Sequence, residues 1–245
     1  ISIVIRTLNE ERYLSQLLNA INDQKIENYK FEIVIVDSGS QDKTLKIAKS
    51  FNCAILKIKK DEFSYGRSLN IGCEFSNGNY LVFISGHCIP KDDKWLINLI
   101  DPLINSKADY AYGMQLGGKF THFSEKQIFN KYFPNTDENK QKKYFCNNAN
   151  AAIKYNVWNK YLFNEYLTGL EDIDLGYRIL KKNKIIKYIP KAAIYHFHHE
   201  NWRQVKNRFE REAIALKIIF PYINFGIINL FIFFFIAIYQ DFKYA

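Results

Sequence analysis

Three short stretches of the 245-residue chain combine residue types that can bind a polar ligand or move a proton. The first is Asp37-Ser38-Gly39-Ser40-Gln41-Asp42-Lys43-Thr44, directly after the apolar run Phe31 to Val36. An aspartate at the carboxyl end of a parallel strand sits where open α/β sheets take ligands. Its carboxylate can accept from a base N–H or a ribose hydroxyl. Gly39 permits a tight turn and Ser40 or Asp42 can cap the next helix, so plain turn-and-cap chemistry also accounts for the segment. The second stretch, Cys146 to Lys154, carries Asn147, Asn148 and Asn150, whose amides suit sugar hydroxyls. The third is Glu171-Asp172 after Gly169. Acids there can serve as a general base, and they are also favoured in a first helical turn by electrostatics alone.

Histidines gather at Tyr195-His196-Phe197-His198-His199, where they can act as ligands or charges, or simply be the packed and solvated residues of a strand end. Trp95, Trp158 and Trp202 can stack on a sugar ring, though a core or interface position fits each. No G-x-G-x-x-G follows a strand and no G-x-x-x-x-G-K-[ST] occurs, so dinucleotide-fold and P-loop chemistries are excluded.

Regular elements must position these residues. Ile1 to Ile5 reads as a strand, and Glu10 to Ile21 as a helix with Tyr13, Leu14, Leu17, Leu18 and Ile21 on one face. Phe31 to Val36 is a strand, Leu45 to Phe51 a helix, Ala54 to Ile58 a strand, Ser68 to Phe75 a helix and Tyr80 to Ile84 a strand. Such alternation needs crossover connections and hence a largely parallel sheet with helices on both faces, an α/β domain. After Asp101 the pattern loosens. Ala108 to Leu116 reads as a strand, Thr136 to Lys143 as a polar loop and Glu171 to Lys181 as a helix. Ile185 to Ile189 is a strand ended by Pro190, and Asn201 to Ile219 a basic helix.

The composition agrees with one large domain, or one with a small appendage. With 48% hydrophobic and 24% charged residues the chain is neither disordered nor fibrous. Thirty-four Lys and Arg against 25 Asp and Glu give a net charge of +9, which favours an anionic partner. The basic residues concentrate in helices and in Lys140 to Lys143, and no RRM, KH or zinc module appears, so a nucleic-acid binder is the weaker class. Cys53, Cys73, Cys88 and Cys146 form no C-x-x-C pair, which fits a reducing, cytoplasmic location. The opening run is strand-like and carries no secretory leader pattern.

From Ile218 to Tyr239 no residue is charged, but Pro221, Asn224, Gly226 and Asn229 interrupt the first half and leave a core too short to span a bilayer. Arg203, Lys206, Arg208, Arg211 and Lys217 precede it, a combination suited to attachment at an anionic lipid surface. A helix packed on the domain, or on a second copy in a homodimer, is the alternative.

Five segments in order resemble the family 2 inverting glycosyltransferases of the GT-A fold. Arg6-Thr7-Leu8-Asn9-Glu10-Glu11 is similar to that family's T-x-N-E opening, and VDSGSQDKT to its V-D-D-G-S-x-D-x-T segment. SYGRSLNIGCEFSNGNYLVFIS resembles its R-x-x-N-x-G stretch with the strand that follows, CNNANAAIK its acceptor-side loop, and GLEDIDLGYRIL its E-D-x-D-L-x-x-R helix. The match runs over roughly residues 1–215. The resemblance implies a GT-A domain over 1–200, with a donor half of about 1–105 and an acceptor half of about 106–200, followed by a basic helix and apolar segment over 201–245. It further implies that Thr7, Asn9, Glu10, Asp37, Ser38 and Gly39 line the nucleoside pocket, with Arg67 and Asn70 near base or diphosphate. For Arg67 a surface ion pair with Asp61 or Glu62 is the alternative. The catalytic pair would be Asp172, the base that deprotonates the acceptor, and Glu171, which would bind the acceptor or orient the loop, and Asn147, Asn148 and Asn150 would face the acceptor.

The chain departs from the family where an Asp-x-Asp normally ends the fourth strand. Ser85-Gly86-His87 stands there, so both acids are gone and His87 occupies the metal-ligand slot. Imidazole can ligate Mn²⁺ but holds hard Mg²⁺ poorly. His87 with His198 can form a metal site, or a protonated His87 can neutralise a leaving diphosphate without metal. The expected protein is therefore an inverting glycosyltransferase that moves a sugar from a nucleotide-sugar donor to a hydroxyl of a glycan or lipid-linked glycan. Its setting would be surface-polysaccharide synthesis, such as capsule or lipopolysaccharide, at the cytoplasmic face of a bacterial plasma membrane. A sugar-nucleotide-binding homologue that has lost turnover stays open, while a nucleotidyltransferase would need a Gly-rich loop that RTLNEERY lacks.

Overall fold

The strand at the centre of the donor half shows how the core is organised. In β1 (Ser2–Thr7) the alternating side chains go to opposite faces. Ile3 and Ile5 join one buried cluster with Leu14, Leu17, Trp95 and Leu99, whereas Val4 joins a second with Leu69, Phe83, Trp158 and Leu175. A sheet covered on both faces needs such near-continuous apolar strands. Each fully buried large aliphatic side chain contributes about 1.5–3 kcal/mol. The computed structural model describes residues 1–245 except 119–120, 137–141, 199, 225 and 245, and not the side chains of 240, 241 and 244. His199 and most of the expected polar loop Thr136 to Lys143 therefore lie outside the described residues.

The described strands form one mixed sheet in the order β3-β2-β1-β4-β7-β6-β8-β5. β1, β2 (Glu32–Asp37), β3 (Ala54–Lys57) and β4 (Tyr80–Ser85) pair in parallel. Their crossovers are α1 (Leu14–Asn22), α2 (Thr44–Ser50) and α3 (Tyr65–Phe75). The α3 crossover lies so close to the sheet that a Cβ on Gly72 would stand 2.4 Å from a Val4 methyl. β7 (Asn150–Lys154) then pairs antiparallel with both β4 and β6 (Tyr110–Gly117). β8 (Ile186–His196) runs parallel to β6, and β5 (Cys88–Pro90) closes the edge antiparallel to β8. α4 (Trp95–Ile104), α5 (Phe123–Tyr132), α6 (Tyr155–Tyr161) and α7 (Glu171–Leu180) complete the layers.

The α/β expectation is met, with parallel pairing dominant in the first hundred residues. Two boundaries differ most. Helix α1 begins at Leu14 rather than Glu10, because Glu10 O accepts from the amides of both Tyr13 and Leu14 in a turn, and Glu10 N donates to Thr44 Oγ1. Strand β8 continues through Pro190 to His196. The missing N–H of Pro190 falls where the β6–β8 register shifts between Gly113 and Gln115. The side chain of Asn150 bonds the carbonyls of Met114 and Ala192 in that irregularity.

α8 (Trp202–Ile219) opens with a capping box between Asn201 and Gln204 and is followed by Pro221. Phe220 is buried between Tyr144 and Tyr177, with ring centroids 5.3 and 5.0 Å away. α9 (Ile227–Tyr244) carries Ile227, Ile228, Leu230, Phe231, Phe233, Phe234 and Phe235, all exposed. Among the described residues no helix is long and apolar enough to cross a membrane.

One buried side chain ties α3 to the chain ahead of α7. Asn70 Oδ1 accepts from Trp158 Nε1 and Phe163 N, both at 3.0 Å, and Asn70 Nδ2 donates to Phe163 O and Glu165 Oε1. Asn70→Ala strands two buried donors at about 1–3 kcal/mol each. Urea unfolding should show a loss of about 2–5 kcal/mol; a loss below about 1 kcal/mol would mean that the loop repacks freely.

Candidate active site at the carboxyl ends of β1, β2 and β4

The loops after β1 and β2 are bound into one unit. Asp37, 1% exposed, accepts at Oδ2 from Thr7 Oγ1 (3.0 Å) and Ser40 Oγ, and at Oδ1 from the amides of Gly39 and Ser40. Gly39 adopts φ +101°, which only glycine takes without strain. Ser38 donates through N and Oγ to Thr7 O. Asn9, also at positive φ, takes the Gln41 amide on Oδ1, and its own amide donates to Ser40 Oγ. Asp42 accepts from the Thr44 and Glu11 amides ahead of α2. The turn-and-cap role of this segment is thus realised, and its polar atoms form a rigid rim beside Glu10.

Glu10 connects that rim to the end of β4. Its Oε1 accepts from His87 Nδ1 at 2.7 Å. The approach depends on Gly86, since a Cβ there would lie 2.7 Å from Glu10 Cγ. Ser85, at the end of β4, pairs in register with Arg6 of β1.

His87 does not stand alone. One ring nitrogen from each of His87, His196 and His198 lies within 4.8 Å of the others. His196 Nδ1 donates to Gln115 Oε1 at 2.8 Å, and His198 Nδ1 donates to Glu125 Oε1 on α5. All three Nδ1 atoms are therefore committed to oxygens, which leaves Nε2 as the ligand atom of each ring. His196 Nε2 is buried without a hydrogen-bond partner. Burial pushes the His196 imidazole well below its usual pKa and keeps it neutral. A buried orphan nitrogen beside two further imidazoles fits a borderline cation such as Zn²⁺ and does not fit Mg²⁺, which requires oxygens.

The third component is the start of α7. Asp172 is buried, and its carboxylate accepts from Asn148 N (3.0 Å) and Ile173 N (2.8 Å). Burial first, and then the adjacent Glu171 charge, push its pKa up to about 7. Glu171 Oε1 accepts from Arg6 Nη1 at 3.1 Å, and the same guanidinium lies 5.0 Å from the centroid of the Tyr65 ring. Arg211 of α8 approaches that ring too, at 4.9 Å, and bonds the Tyr65 hydroxyl.

Hydrogen bonds and one step of backbone join His196 to Asp172. Gln115, whose oxygen takes His196 Nδ1–H, donates through Nε2 to Asn147 Oδ1 at 3.0 Å. Asn147 Oδ1 also takes the Ala149 amide, and the intervening Asn148 holds Asp172 through its backbone and Tyr110 through its side chain. The arrangement can hold a cation or anion at one end and accept a proton at the other.

Several sequence candidates lie elsewhere. Asn150 is fully buried, taking Trp95 Nε1 on its oxygen and spending its amide on the β6 and β8 carbonyls, so its amide holds the sheet. Asn70 serves the Trp158–Phe163 packing described above, and Arg67 projects from α3 exposed. Trp95 and Trp158 are core residues, whereas Trp202 is 86% exposed. The basic residues of α8 are largely paired within the chain. Arg208 meets Glu200 and Glu212, Lys206 meets Glu210, Arg211 meets Tyr65, and Lys217 donates to Asn224. No motif in the sequence marks Arg6, Tyr65, Gln115 or Glu125, whereas alternation along an extended chain puts His196 on the same side as His198.

Comparison with known proteins identifies the family and the fold. Glycosyltransferase AglE of Haloferax volcanii is 33% identical over 118 residues, which cover 46% of this chain and 38% of AglE. The poly(ribitol-phosphate) beta-N-acetylglucosaminyltransferase TarS of Staphylococcus aureus is 28% identical over 87 residues, 34% of this chain and 15% of TarS. The matches thus span less than half the length of those relatives. The crystal structure of S. aureus TarS 1-349 in complex with UDP-GlcNAc superposes with a TM-score of 0.67 at 17% identity, covering 92% of this chain and 67% of that one. The mannosyltransferase PcManGT from Pyrobaculum calidifontis, solved with GDP-Man and Mn²⁺, gives 0.69 at 16% identity, covering 90% and 63%. These are GT-A glycosyltransferases, and the fold is shared with them. The model of the glycosyl transferase family 2 matches residues 2–167, and the chain belongs to that family.

Proposed function

We propose that this glycosyltransferase inverts the anomeric centre, taking its sugar from a nucleotide-sugar donor. The acceptor would be a hydroxyl of a glycan or lipid-linked glycan in surface-polysaccharide assembly. The observation that carries the reading is Asp172: a buried carboxylate, raised to about 7, at the start of a helix and hydrogen-bonded to the 147–150 loop. Near neutral pH it can both exist as the carboxylate and hold a proton, as a general base must.

In the proposed reaction the acceptor hydroxyl oxygen bonds to the anomeric carbon as the bond from that carbon to the donor phosphate oxygen breaks. The nucleoside diphosphate leaves with the electron pair, and the hydroxyl proton passes to Asp172. Glu171 keeps Asp172 basic by its charge and is itself held by Arg6. The rim of Thr7, Asn9, Glu10, Asp37, Ser38 and Gly39 would bind the nucleoside, with Ser85, Gly86 and His87 facing the diphosphate and Arg67 at the edge. Asn147 and Asn148 would face the acceptor. A cation held by His87, His196 and His198 would supply positive charge to the departing diphosphate.

We further read 1–200 as the catalytic domain and 201–245 as an attachment segment at the cytoplasmic face of the membrane. The exposed apolar side chains of α9 support that reading better than the charges of α8, most of which are paired. Residues such as Phe231, Phe234 and Phe235 lie together on α9 and need a cover. The protein should co-sediment with vesicles containing phosphatidylglycerol, and the triple change to Ser should release it. Pelleting that survives the change would reject α9 as the anchor.

Asp172→Asn should lower kcat by about 10²–10⁴-fold with donor binding retained. For the native enzyme, kcat should fall as the pH drops through about 7, because protonated Asp172 cannot accept the hydroxyl proton. Glu171→Gln should move that inflection to lower pH by removing the neighbouring charge. The linkage in the product, read by proton NMR, should have the anomeric configuration opposite to the donor's. A retained configuration, or full activity in Asp172→Asn, would overturn the assignment.

A further inference from the structure

We propose that His87, His196 and His198 form an all-imidazole metal centre that selects a borderline transition metal, Zn²⁺ foremost, and excludes Mg²⁺. The inference shares its location with the donor-site reading above, but it rests on the histidines alone and is tested without turnover.

Four observations carry it. The three rings bring one nitrogen each to within 4.8 Å of one another, although they come from two separate segments, the β4–β5 turn and the end of β8 with the residues after it. Each ring is oriented from outside by an oxygen bonded to Nδ1: Glu10 for His87, Gln115 for His196 and Glu125 for His198. Metal-bound histidines are typically oriented in this way by a carboxylate or carbonyl, which fixes the tautomer and leaves the other nitrogen for the ion. The outer oxygens are themselves constrained, since Gln115 is buried and bonded to Asn147, and Glu10 fits only because residue 86 is glycine. Finally, His196 Nε2 is buried with no partner, an arrangement that costs free energy unless a ligand completes it.

Three imidazole nitrogens are a donor set for Zn²⁺ and its neighbours, with a fourth position left for water or substrate. Mg²⁺ prefers an octahedron of oxygens and would find none among the three ligand atoms. Glu10 and Glu125 lie behind the rings on Nδ1, where they raise ligand basicity and balance the charge of the ion without coordinating it.

The test uses the full chain, stripped of metal with a chelator and free of any affinity tag. Calorimetry and metal analysis should give one Zn²⁺ bound per chain, while Mg²⁺ at the same concentration neither binds nor displaces it. Co²⁺ should give the visible absorption of a low-coordinate nitrogen site, which Zn²⁺ then bleaches. His196→Ala should abolish the stoichiometric Zn²⁺ and the Co²⁺ spectrum. His87→Ala, a change at a partly exposed position that leaves the core intact, should do the same. Glu125→Gln should weaken Zn²⁺ by about 10–100-fold with the spectrum preserved. The proposal is overturned if the folded protein takes up no Zn²⁺, if Mg²⁺ competes equally, or if both histidine variants keep the Co²⁺ spectrum. A product of retained anomeric configuration, or full activity in Asp172→Asn, with Zn²⁺ still bound would leave the metal centre standing and count against the proposed mechanism instead.

Discussion

Strand β7 enters the sheet antiparallel to β4, with Asn150 opposite Ile84 and Lys154 opposite Tyr80. Because the pairing is antiparallel, the beginning of β7 lies beside the end of β4. The 146–150 loop is thereby brought to the edge where β1, β2 and β4 release their own loops. Without that reversal the asparagines and α7 would lie at the far end of the sheet, away from Glu10 and His87. The pairing is fixed from both sides of the loop, since Asn150 bonds Trp95 and the β6 and β8 backbones, while Asn148 bonds Tyr110 and Asp172.

The same loop couples two groups of different chemistry. His196 reaches Asn147 through Gln115, and one residue later Asn148 holds Asp172. A buried polar network of this kind is favourable only when its members are satisfied. Arg6 adds a second tie from β1 to Glu171, and through Tyr65 to Arg211 on α8.

The parallel half of the fold was legible because its strands are apolar throughout and its helices keep a 3.6-residue period, as in Leu14, Leu17, Leu18 and Ile21. Strand β7 was not legible, because Ala151 and Ala152 carry no strand signal and their burial comes from neighbours distant in sequence. Pro190 read as a stop because local chemistry forbids a ladder bond there, and the β6 irregularity that accommodates it is a tertiary feature. Among the candidate site residues, Asp172, Glu171 and His87 stand out in the sequence through an ordered set of motifs. Gln115 and Glu125 do not, since an outer oxygen on a histidine is defined by space and not by spacing. Asn70 and Asn150 show the converse: their amides read as ligand-binding groups and turn out to hold secondary structure together.

The central claim is that a donor diphosphate binds between the β1–β2 rim and the three histidines, with its sugar directed at Asp172. The most direct measurement is a crystal structure with Zn²⁺ and a nucleoside diphosphate, chosen by calorimetry from UDP, GDP and dTDP, with data collected at the zinc absorption edge. The account predicts one anomalous peak bonded to His87, His196 and His198, diphosphate oxygens next to it, and the nucleoside against Asp37 and Thr7. A nucleotide bound elsewhere, or an anomalous peak away from the histidines, would contradict it.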